Sequence, residues 1–160
     1  MAPVCARLRM RIVFFQPDIP QNLGASMRTA ACFGAGMDVI EPCAFPLTDK
    51  GIRKAAMDYG AAIAPVRHAS WNTYTESAEA GAGRLVLFTT AGATDLWDFA
   101  FEPDDRMLFG RESAGVPEAI HAAADCRVRI PIRADMRSLN VAMSAGIALA
   151  EASRQHRNNP

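Results

Sequence analysis

The chain has 160 residues, half of them hydrophobic and 21% charged, which is the size and balance of one globular domain. It carries 17 basic and 17 acidic residues, so the formal net charge is zero. That balance excludes a strongly cationic, histone-like nucleic-acid binder but permits a local basic patch. No apolar run approaches the roughly 20 residues that span a bilayer, and no signal-peptide core is present. We therefore expect a cytoplasmic protein with a single domain over residues 1–160 and a frayed tail at about 156–160.

Short apolar runs alternate with longer, alanine-rich segments along the chain. The apolar runs predict strands at Ile12–Phe15, Met37–Ile40, Ile63–Val66, Arg84–Thr89, Met107–Phe109 and Arg127–Ile130. The segments between them predict helices at about Asn22–Phe33, Asp49–Met57, Trp71–Ala80, Glu118–Ala123 and Asn140–Gln155. Strands that alternate with helices indicate an α/β fold, with a parallel sheet flanked by helices on both faces.

One glycine pair imitates a nucleotide-binding motif. Gly34-Ala35-Gly36 begins like a dinucleotide fingerprint, but it follows a predicted helix and precedes a strand, the reverse of that motif's order. We predict instead that it ends the helix, with a glycine in the left-handed conformation. Nucleophile-elbow, P-loop and His-Glu-x-x-His patterns are absent from the sequence.

The cysteines and histidines show neither a redox motif nor the spacing of metal ligands. The four cysteines form no Cys-x-x-Cys pair, and we expect them to be free and mostly buried: Cys5, Cys32, Cys43 and Cys126. The three histidines lie far apart, at His68, His121 and His156. We therefore expect no metal site.

Three polar clusters each follow a predicted strand, at the sheet edge where α/β folds bind ligands. They are Asn22–Arg28, Leu108–Pro117 and Ile130–Asn140. Taken singly, they also fit ordinary structure: a helix capped by Asn22, a turn before a proline-initiated helix, and a helix capped by Ser138. With Ser138 as the cap, Asn140 would lie in the first turn, where exposed N–H groups can hold a polar ligand.

Taken together and in this order, the clusters resemble the three motifs of the SPOUT superfamily of RNA methyltransferases, in its SpoU (TrmH-like) branch. The family pattern N-x-G-x-x-x-R matches Asn22 to Arg28, and F-G-x-E-x-x-G-[LV] matches Phe109 to Val116. The third pattern, I-P-[MI] followed after five or six residues by S-[LM]-N, matches Ile130 to Asn140. The similarity covers about Arg11 to Gln155 and is greatest for the small TrmL-like (YibK-like) enzymes, which consist of the catalytic domain alone.

The resemblance implies a fold, a reaction and partners. The fold is an α/β SPOUT domain with a C-terminal trefoil knot. The reaction moves a methyl group from S-adenosylmethionine to the ribose 2'-hydroxyl of the wobble nucleotide 34 in tRNA, leaving S-adenosylhomocysteine and using no metal. The nucleotide is a cytidine or a modified uridine, in tRNA-Leu isoacceptors. The partners are the tRNA anticodon loop and a second copy of the chain, since the family forms homodimers with active sites at the interface, and no membrane is involved.

The same resemblance assigns roles to individual residues. Arg28 acts at the hydroxyl and contacts an RNA phosphate; its guanidinium stays protonated, so it cannot serve as a free base. Asn22 holds Arg28 or the ribose, and Glu112 orders its loop or pairs with an arginine. Ser138 and Asn140 shape the cofactor and ribose pocket. The cofactor is held mainly by backbone groups, at Phe88, Gly110, Ile130 and Ser138.

Two positions depart from the family pattern. Arg111 replaces the proline or asparagine that often precedes the glutamate of the second motif, and Ala150 stands where TrmL-like enzymes often carry a tyrosine. Recognition of RNA bases commonly uses aromatic and arginine side chains. The candidates for that role are Tyr59, Trp71, Trp97, Arg127, Arg129, Arg133 and Arg137.

Two alternatives to a nucleotide-34 enzyme remain open from the sequence. The first is a SpoU-type enzyme that methylates another tRNA or rRNA ribose, since the three motifs are shared across the branch. The second is a non-catalytic protein that binds the cofactor or RNA. The joint presence of four motif residues argues against the second: Arg28, Glu112, Ser138 and Asn140.

Overall fold

The computed structural model describes residues 9–48, 50–51, 54, 64–77, 79–81 and 83–157. Most of the predicted helix Asp49–Met57 and the start of the predicted strand Ile63–Val66 lie outside these residues, as do Cys5 and Tyr59. The strands are β1 (Arg11–Phe15), β2 (Gly36–Ile40), β3 (Val66–His68), β4 (Leu85–Phe88), β5 (Thr94–Asp95), β6 (Arg106–Phe109) and β7 (Cys126–Arg129). The α-helices are α1 (Pro20–Phe33), α2 (Trp71–Thr75), α3 (Glu118–Ala123) and α4 (Val141–Arg157).

The seven strands form one sheet in the order β3-β2-β1-β6-β4-β7-β5. Every pairing between these strands is parallel, which confirms the predicted parallel α/β sheet. The central strands β1, β4 and β6 are almost entirely buried, because helices cover both faces of the sheet. The carboxyl ends of β1, β6, β4 and β7 therefore lie side by side along one edge.

Each face of the sheet has its own apolar core. On one face, Phe14, Val86 and Met107 pack with buried residues of α1 and α4. On the other face, Val13, Leu87 and Leu108 pack with Tyr74 of α2 and Ile120 of α3. The fully buried large side chains each contribute roughly 1.5–3 kcal/mol, so this double core fixes the strand ends that carry the predicted clusters.

The start of helix α1 differs from the sequence prediction. Helix α1 begins at Pro20 instead of Asn22, with Ile19 as its N-cap. Proline fits the first turn because the N–H that it lacks would have no intrahelical partner there. The predicted end is confirmed: Gly34 has a φ of 68°, and its N–H donates to the carbonyls of Ala30 and Ala31.

Other element boundaries differ by several residues. Strand β3 occupies Val66–His68 instead of Ile63–Val66. Helix α2 ends at Thr75 instead of Ala80, and a separate 3₁₀ turn follows at Glu79–Gly81. Strand β5 was absent from the prediction. Helix α4 continues to Arg157, past the predicted end at Gln155, and the trefoil knot stays a prediction from the resemblance.

Candidate functional site

A cavity of about 480 Å³ opens at the carboxyl edge of the sheet, where the three predicted clusters meet. Its wall combines residues that follow β1, β4, β6 and β7 with the start of α4. Seven of the predicted site residues line it: Asn22, Phe88, Gly110, Glu112, Ile130, Ser138 and Asn140. Arg28, the eighth, is absent from the wall.

A continuous chain of side-chain hydrogen bonds joins the three clusters. The Nδ2 of Asn22 donates to Glu112 Oε1 over 3.2 Å. The Nδ2 of Asn140 donates to Asn22 Oδ1 over 2.9 Å. One asparagine from the first cluster thus bridges the glutamate of the second and the asparagine of the third.

The helix caps differ from those predicted for Asn22 and Ser138. The side chain of Asn22 does not cap α1, because it lies within the helix and bonds to the other two clusters. Asn140 does cap α4: its Oδ1 accepts from the N–H groups of Ala142 at 2.8 Å and Met143 at 3.2 Å. Ser138, predicted as that cap, is instead exposed on the cavity wall.

Glu112 orders its surroundings through uncharged donors. Its Oε2 accepts from the N–H of Asp18 at 2.8 Å, and its Oε1 accepts from Asn22. The ion pairs of the described residues do not include Glu112, so of the two predicted roles the structure supports loop ordering.

The second cluster forms a tight loop. The N–H of Arg111 donates to the Gly115 carbonyl at 2.9 Å, and the N–H of Gly115 donates back to the Arg111 carbonyl at 2.8 Å. A Cβ on Gly110 would lie 2.6 Å from the carbonyl carbon of Gly115, so only glycine fits there. The closed loop presents its backbone to the cavity.

Asp18 is a site residue that sequence reasoning missed. Its Oδ1 accepts from Arg111 Nη2 at 3.0 Å, and its Oδ2 accepts from the N–H of Ser113 at 3.0 Å and from Ser113 Oγ at 2.5 Å. The hydrogen bonds from Ser113 and the neighbouring Arg111 guanidinium hold the pKa of Asp18 below its usual value, although partial burial opposes them. Asp18 lies between two prolines after β1, and only its distant partners identify it.

Arg28 lies on the exposed surface of α1. It follows Asn22 by six residues, which places it about 9 Å further along the helix axis. The structure therefore separates Arg28 from the cavity of its own chain, while Asn22 faces that cavity.

The cavity wall fits S-adenosylmethionine in chemistry and size. Leu87, Phe88 and Ile130 supply apolar surface, and Phe88 stacks on Phe109 with ring centroids 5.0 Å apart. The backbone at Gly110 and the exposed Ser138 supply polar groups. An apolar wall with a few polar groups is the usual arrangement for binding a nucleoside.

His121 also lines the cavity, although it belongs to none of the three clusters. It lies in the last turn of α3, and the fold brings that turn next to the ends of β4 and β6. Only the packing of α3 against the sheet could have revealed this placement.

The other candidate residues are dispersed. Trp97 is 59% exposed, whereas Trp71 is half-buried against Tyr74. The four candidate arginines, Arg127, Arg129, Arg133 and Arg137, are all exposed. Cys32 is exposed, contrary to the expectation of buried cysteines, while Cys43 and Cys126 are half-buried.

The part of the chain that the structure describes shows neither a metal-ligand cluster nor a membrane-spanning helix. It contains no cluster of three or more histidine, cysteine, aspartate or glutamate side chains that could hold a metal ion. None of its helices has both the length and the apolar content needed to cross a bilayer.

The sequence of this parallel α/β fold is similar to those of known methyltransferases. Residues 9–150 match the model of the SpoU rRNA Methylase family. A tRNA (cytidine(34)-2'-O)-methyltransferase of Beijerinckia indica is 49% identical over 144 residues, which cover 90% of each chain. The chain therefore belongs to the SpoU methylase family.

Solved structures agree with the family assignment. One solved structure is described as structural insights into the 2-OH methylation of C/U34 on tRNA. It has a TM-score of 0.86 and 35% identity, and the match covers 94% of this chain and 97% of that chain. The SpoU methyltransferase AviRb of Streptomyces viridochromogenes, in complex with the cofactor AdoMet, has a TM-score of 0.82 and 30% identity. The match covers 93% of this chain and 61% of the AviRb chain. The SpoU resemblance and the parallel α/β fold inferred from the sequence are confirmed.

Proposed function

We propose that the chain is a tRNA 2'-O-methyltransferase that uses S-adenosylmethionine to methylate the ribose of nucleotide 34 in the anticodon loop. The observation that carries the proposal is the hydrogen-bond chain Glu112–Asn22–Asn140, which joins all three SpoU motifs on the wall of one cavity. The identity to a cytidine(34) methyltransferase over nearly the whole chain supports the choice of nucleotide. The proposal places the reaction in the cytoplasm, where tRNA is available.

The cofactor is proposed to bind along Phe88, Gly110, Ile130 and Ser138. When bound, S-adenosylmethionine supplies a methyl group activated by its positively charged sulfur. The apolar side chains would exclude water from that group, and the backbone at Gly110 would supply polar groups to the adenosine. The AdoMet complex of the SpoU methyltransferase AviRb supports a cofactor site in this fold.

The chain's own residues then mainly orient the hydroxyl. A ribose 2'-hydroxyl is a weak nucleophile at neutral pH, so alignment with the methyl group supplies much of the rate. Asn22 is held rigidly between Glu112 and Asn140, and it can fix the ribose position. Arg28 is proposed to bind the adjacent phosphate and orient the hydroxyl as its proton leaves.

The proposal includes a homodimer in which Arg28 reaches the cavity of the partner subunit. Its support is that Arg28 is exposed and away from the cavity of its own chain. Exposed apolar side chains surround the cavity mouth and the start of α4, as an interface would require: Ile19, Ile132, Met136, Leu139 and Met143. The family resemblance also implies this assembly.

Subunit complementation tests the shared site. Arg28→Ala removes the guanidinium, and Asn140→Asp keeps a helix-capping oxygen while placing a carboxylate against Asn22 Oδ1. The two inactive variants are unfolded and refolded together. About half of the dimers are then mixed, and one of the two sites in each mixed dimer is intact, so roughly a quarter of wild-type activity should return. Recovery near zero from subunits shown to have exchanged would contradict a shared site.

Transfer of labelled methyl groups tests the activity itself. Purified protein, labelled S-adenosylmethionine and bulk tRNA should give labelled tRNA, and mass spectrometry of nuclease fragments should place the methyl on nucleotide 34. A methyl on another tRNA or rRNA ribose would support the wider SpoU alternative. Binding of cofactor and RNA without transfer would support the non-catalytic alternative.

A further inference from the structure

Arg111 lies on the cavity wall with a fixed orientation. Its Nε and Nη2 both donate to Asp18 Oδ1, over 3.2 and 3.0 Å. The Asp18 carboxylate is itself held by two hydrogen bonds from Ser113. The guanidinium therefore cannot turn freely, although its side chain is 38% exposed.

The third nitrogen of Arg111 is available to a ligand. The hydrogen bonds described for this guanidinium use Nε and Nη2, and both go to Asp18. Nη1 carries two further N–H donors, directed away from Asp18 by the planar geometry of the group. An oxyanion is the ligand that such a charged fork binds best.

The orientation of Arg111 also selects one side of the cavity. Of the proposed cofactor residues, Phe88 ends β4 and Ile130 follows β7, whereas Asp18 follows β1. Strand β6 separates β1 from β4 and β7 in the sheet. Asp18 thus holds the guanidinium on the β1 side, away from Phe88 and Ile130, while the backbone of the preceding Gly110 belongs to the proposed cofactor wall.

We propose that Arg111 binds a phosphate of the RNA substrate and that Asp18 is the positioning residue that aims it. This inference rests on the proposed function and names a further contact of the same site. A guanidinium close to the cofactor's sulfonium would repel it, so a cation serves better on the RNA side. The neighbouring Glu112 carboxylate does not compete, because both of its oxygens already accept hydrogen bonds from Asp18 and Asn22.

Arg111→Gln tests the phosphate contact through the salt dependence of binding. We expect the Kd for an anticodon stem-loop RNA to rise about tenfold at low salt. The slope of log Kd against log salt should fall by about 0.7, the value for one lost contact to single-stranded RNA. The Kd for S-adenosylhomocysteine, measured by calorimetry, should change less than about twofold. Arg111→Lys should keep the slope, because lysine keeps the charge.

Arg9→Gln is the matched control. Arg9 pairs with Asp104 at 3.1 Å and precedes β1, at the opposite edge of the sheet. Its loss removes the same charge without touching the cavity. The RNA slope should therefore stay at the wild-type value in this variant.

Asp18→Asn tests the positioning role. Asparagine keeps the shape but removes the charge that holds Arg111, so we expect a three- to fivefold rise in RNA Kd with an unchanged salt slope, as the charge of Arg111 remains. The double variant Asp18→Asn with Arg111→Gln should have the same RNA Kd as Arg111→Gln alone, because the guanidinium that Asp18 positions is absent from both. Additive effects would overturn the positioning role.

Two results would overturn the phosphate contact. One is an RNA slope in Arg111→Gln equal to that of Arg9→Gln, whether both stay at the wild-type value or both fall. The other is a loss of S-adenosylhomocysteine affinity as large as the loss for RNA, which would assign Arg111 to the cofactor carboxylate. Failure of the proposed function is distinguishable, because it would show as absent methylation at nucleotide 34 by the wild-type chain.

Discussion

Two polar networks in this molecule contrast in where their donors and acceptors point. The edge network lies at the carboxyl edge of the sheet and consists of Asp18, Asn22, Arg111, Glu112 and Asn140. The buried network lies under α2, on strands β1, β2, β3 and β6, and consists of Arg11, Asp38, His68, Tyr74 and Arg106. The edge network borders a cavity, whereas the members of the buried network face one another.

The buried network is built around a fully buried carboxylate. Asp38 is 0% exposed, and it accepts from Arg11 Nε at 2.5 Å and bonds to His68 Nε2 at 2.8 Å. Beside it, the Tyr74 hydroxyl accepts from Arg106 Nη1 at 2.9 Å. Charges without access to solvent must be paired, so this arrangement is needed for folding.

The role of each polar network follows from whether its polar groups are exposed to a ligand or bonded to one another. In the edge network, Arg111 and Asn140 keep polar groups exposed on a cavity wall, where a ligand can use them. In the buried network nearly all polar groups are consumed internally. Substitutions in the edge network should therefore change turnover or binding more than stability, and those in the buried network should do the reverse.

The largest effect is expected for Arg28→Ala. The Arg28 side chain is proposed to extend the edge network across the dimer interface. Loss of the group that orients the hydroxyl should lower methyl transfer at least about 1,000-fold. The Kd for S-adenosylhomocysteine should change less than about twofold, because Arg28 is proposed to bind the RNA phosphate and is not among the residues proposed to hold the cofactor. Arg67→Ala is the control, since Arg67 pairs with Glu41 away from the cavity wall and its loss should leave turnover near wild type. Equal losses of turnover and cofactor affinity in Arg28→Ala would contradict this division.

Asp38→Asn should have the largest effect on stability. Arg11 and His68 would lose their charged partner in a buried site, and we expect about 3 kcal/mol less free energy of unfolding. Asp95→Asn is the matched control, because its pair with Arg129 is exposed and should cost under about 1 kcal/mol. Urea denaturation at one fixed protein concentration measures both. A marked change in kcat of folded Asp38→Asn protein, at unchanged stability, would remove the contrast between the networks.

Glu112→Gln should give an intermediate effect on turnover. The neutral side chain keeps its shape but has a single acceptor oxygen, so it can accept from Asp18 or from Asn22 but not from both, and Asn22 is held less firmly. We expect kcat to fall about tenfold with less than about 1 kcal/mol lost from the free energy of unfolding. Steady-state kinetics measures kcat, and denaturation of the same preparation measures the free energy of unfolding. A fall in stability without a fall in kcat would place Glu112 with the structural residues.

Asp18 should make stability weakly dependent on pH. The hydrogen bonds from Ser113 lower its pKa in the folded chain, so the carboxylate stabilises the fold above the usual aspartate pKa of about 4. That contribution disappears as the pH falls through the lowered folded pKa. The wild type should therefore exceed Asp18→Asn in free energy of unfolding at pH 7, and the difference should shrink below about pH 4. A difference that grows toward acid would have the wrong sign.

The smallest effect is expected for the cysteines. Cys32 is exposed, whereas burial and the nearby Glu41 carboxylate raise the pKa of Cys43 to about 11. Iodoacetamide at pH 8 should therefore label Cys32 before Cys43, as peptide mapping can show. Cys32→Ser should retain full methyl transfer, because the proposed reaction forms no covalent enzyme intermediate. A folded but inactive Cys32→Ser variant would indicate a cysteine mechanism.

Local patterns predicted the strands and the three clusters, but they did not predict how the clusters interlock. Apolar runs located β1, β4 and β6, because fully buried strands are almost continuously hydrophobic. Strand β5 has two residues, too few for any periodicity. Capping preferences predicted Ser138 as the cap of α4 and Asn140 in its first turn, but the fold uses Asn140 as the cap. Asp18 and His121 join the site through contacts with residues far away in sequence, which no local pattern contains.

A scan with single 2'-deoxynucleotides tests whether the 2'-hydroxyl of nucleotide 34 accepts the methyl group. Anticodon stem-loop RNAs that lack one 2'-hydroxyl, at position 33, 34 or 35, are incubated with the chain and labelled S-adenosylmethionine. We expect methyl transfer to the RNAs modified at 33 and 35 and none to the RNA modified at 34, because the 2'-hydroxyl of nucleotide 34 is the proposed acceptor. Undiminished transfer to the 34-deoxy RNA would contradict the proposed function.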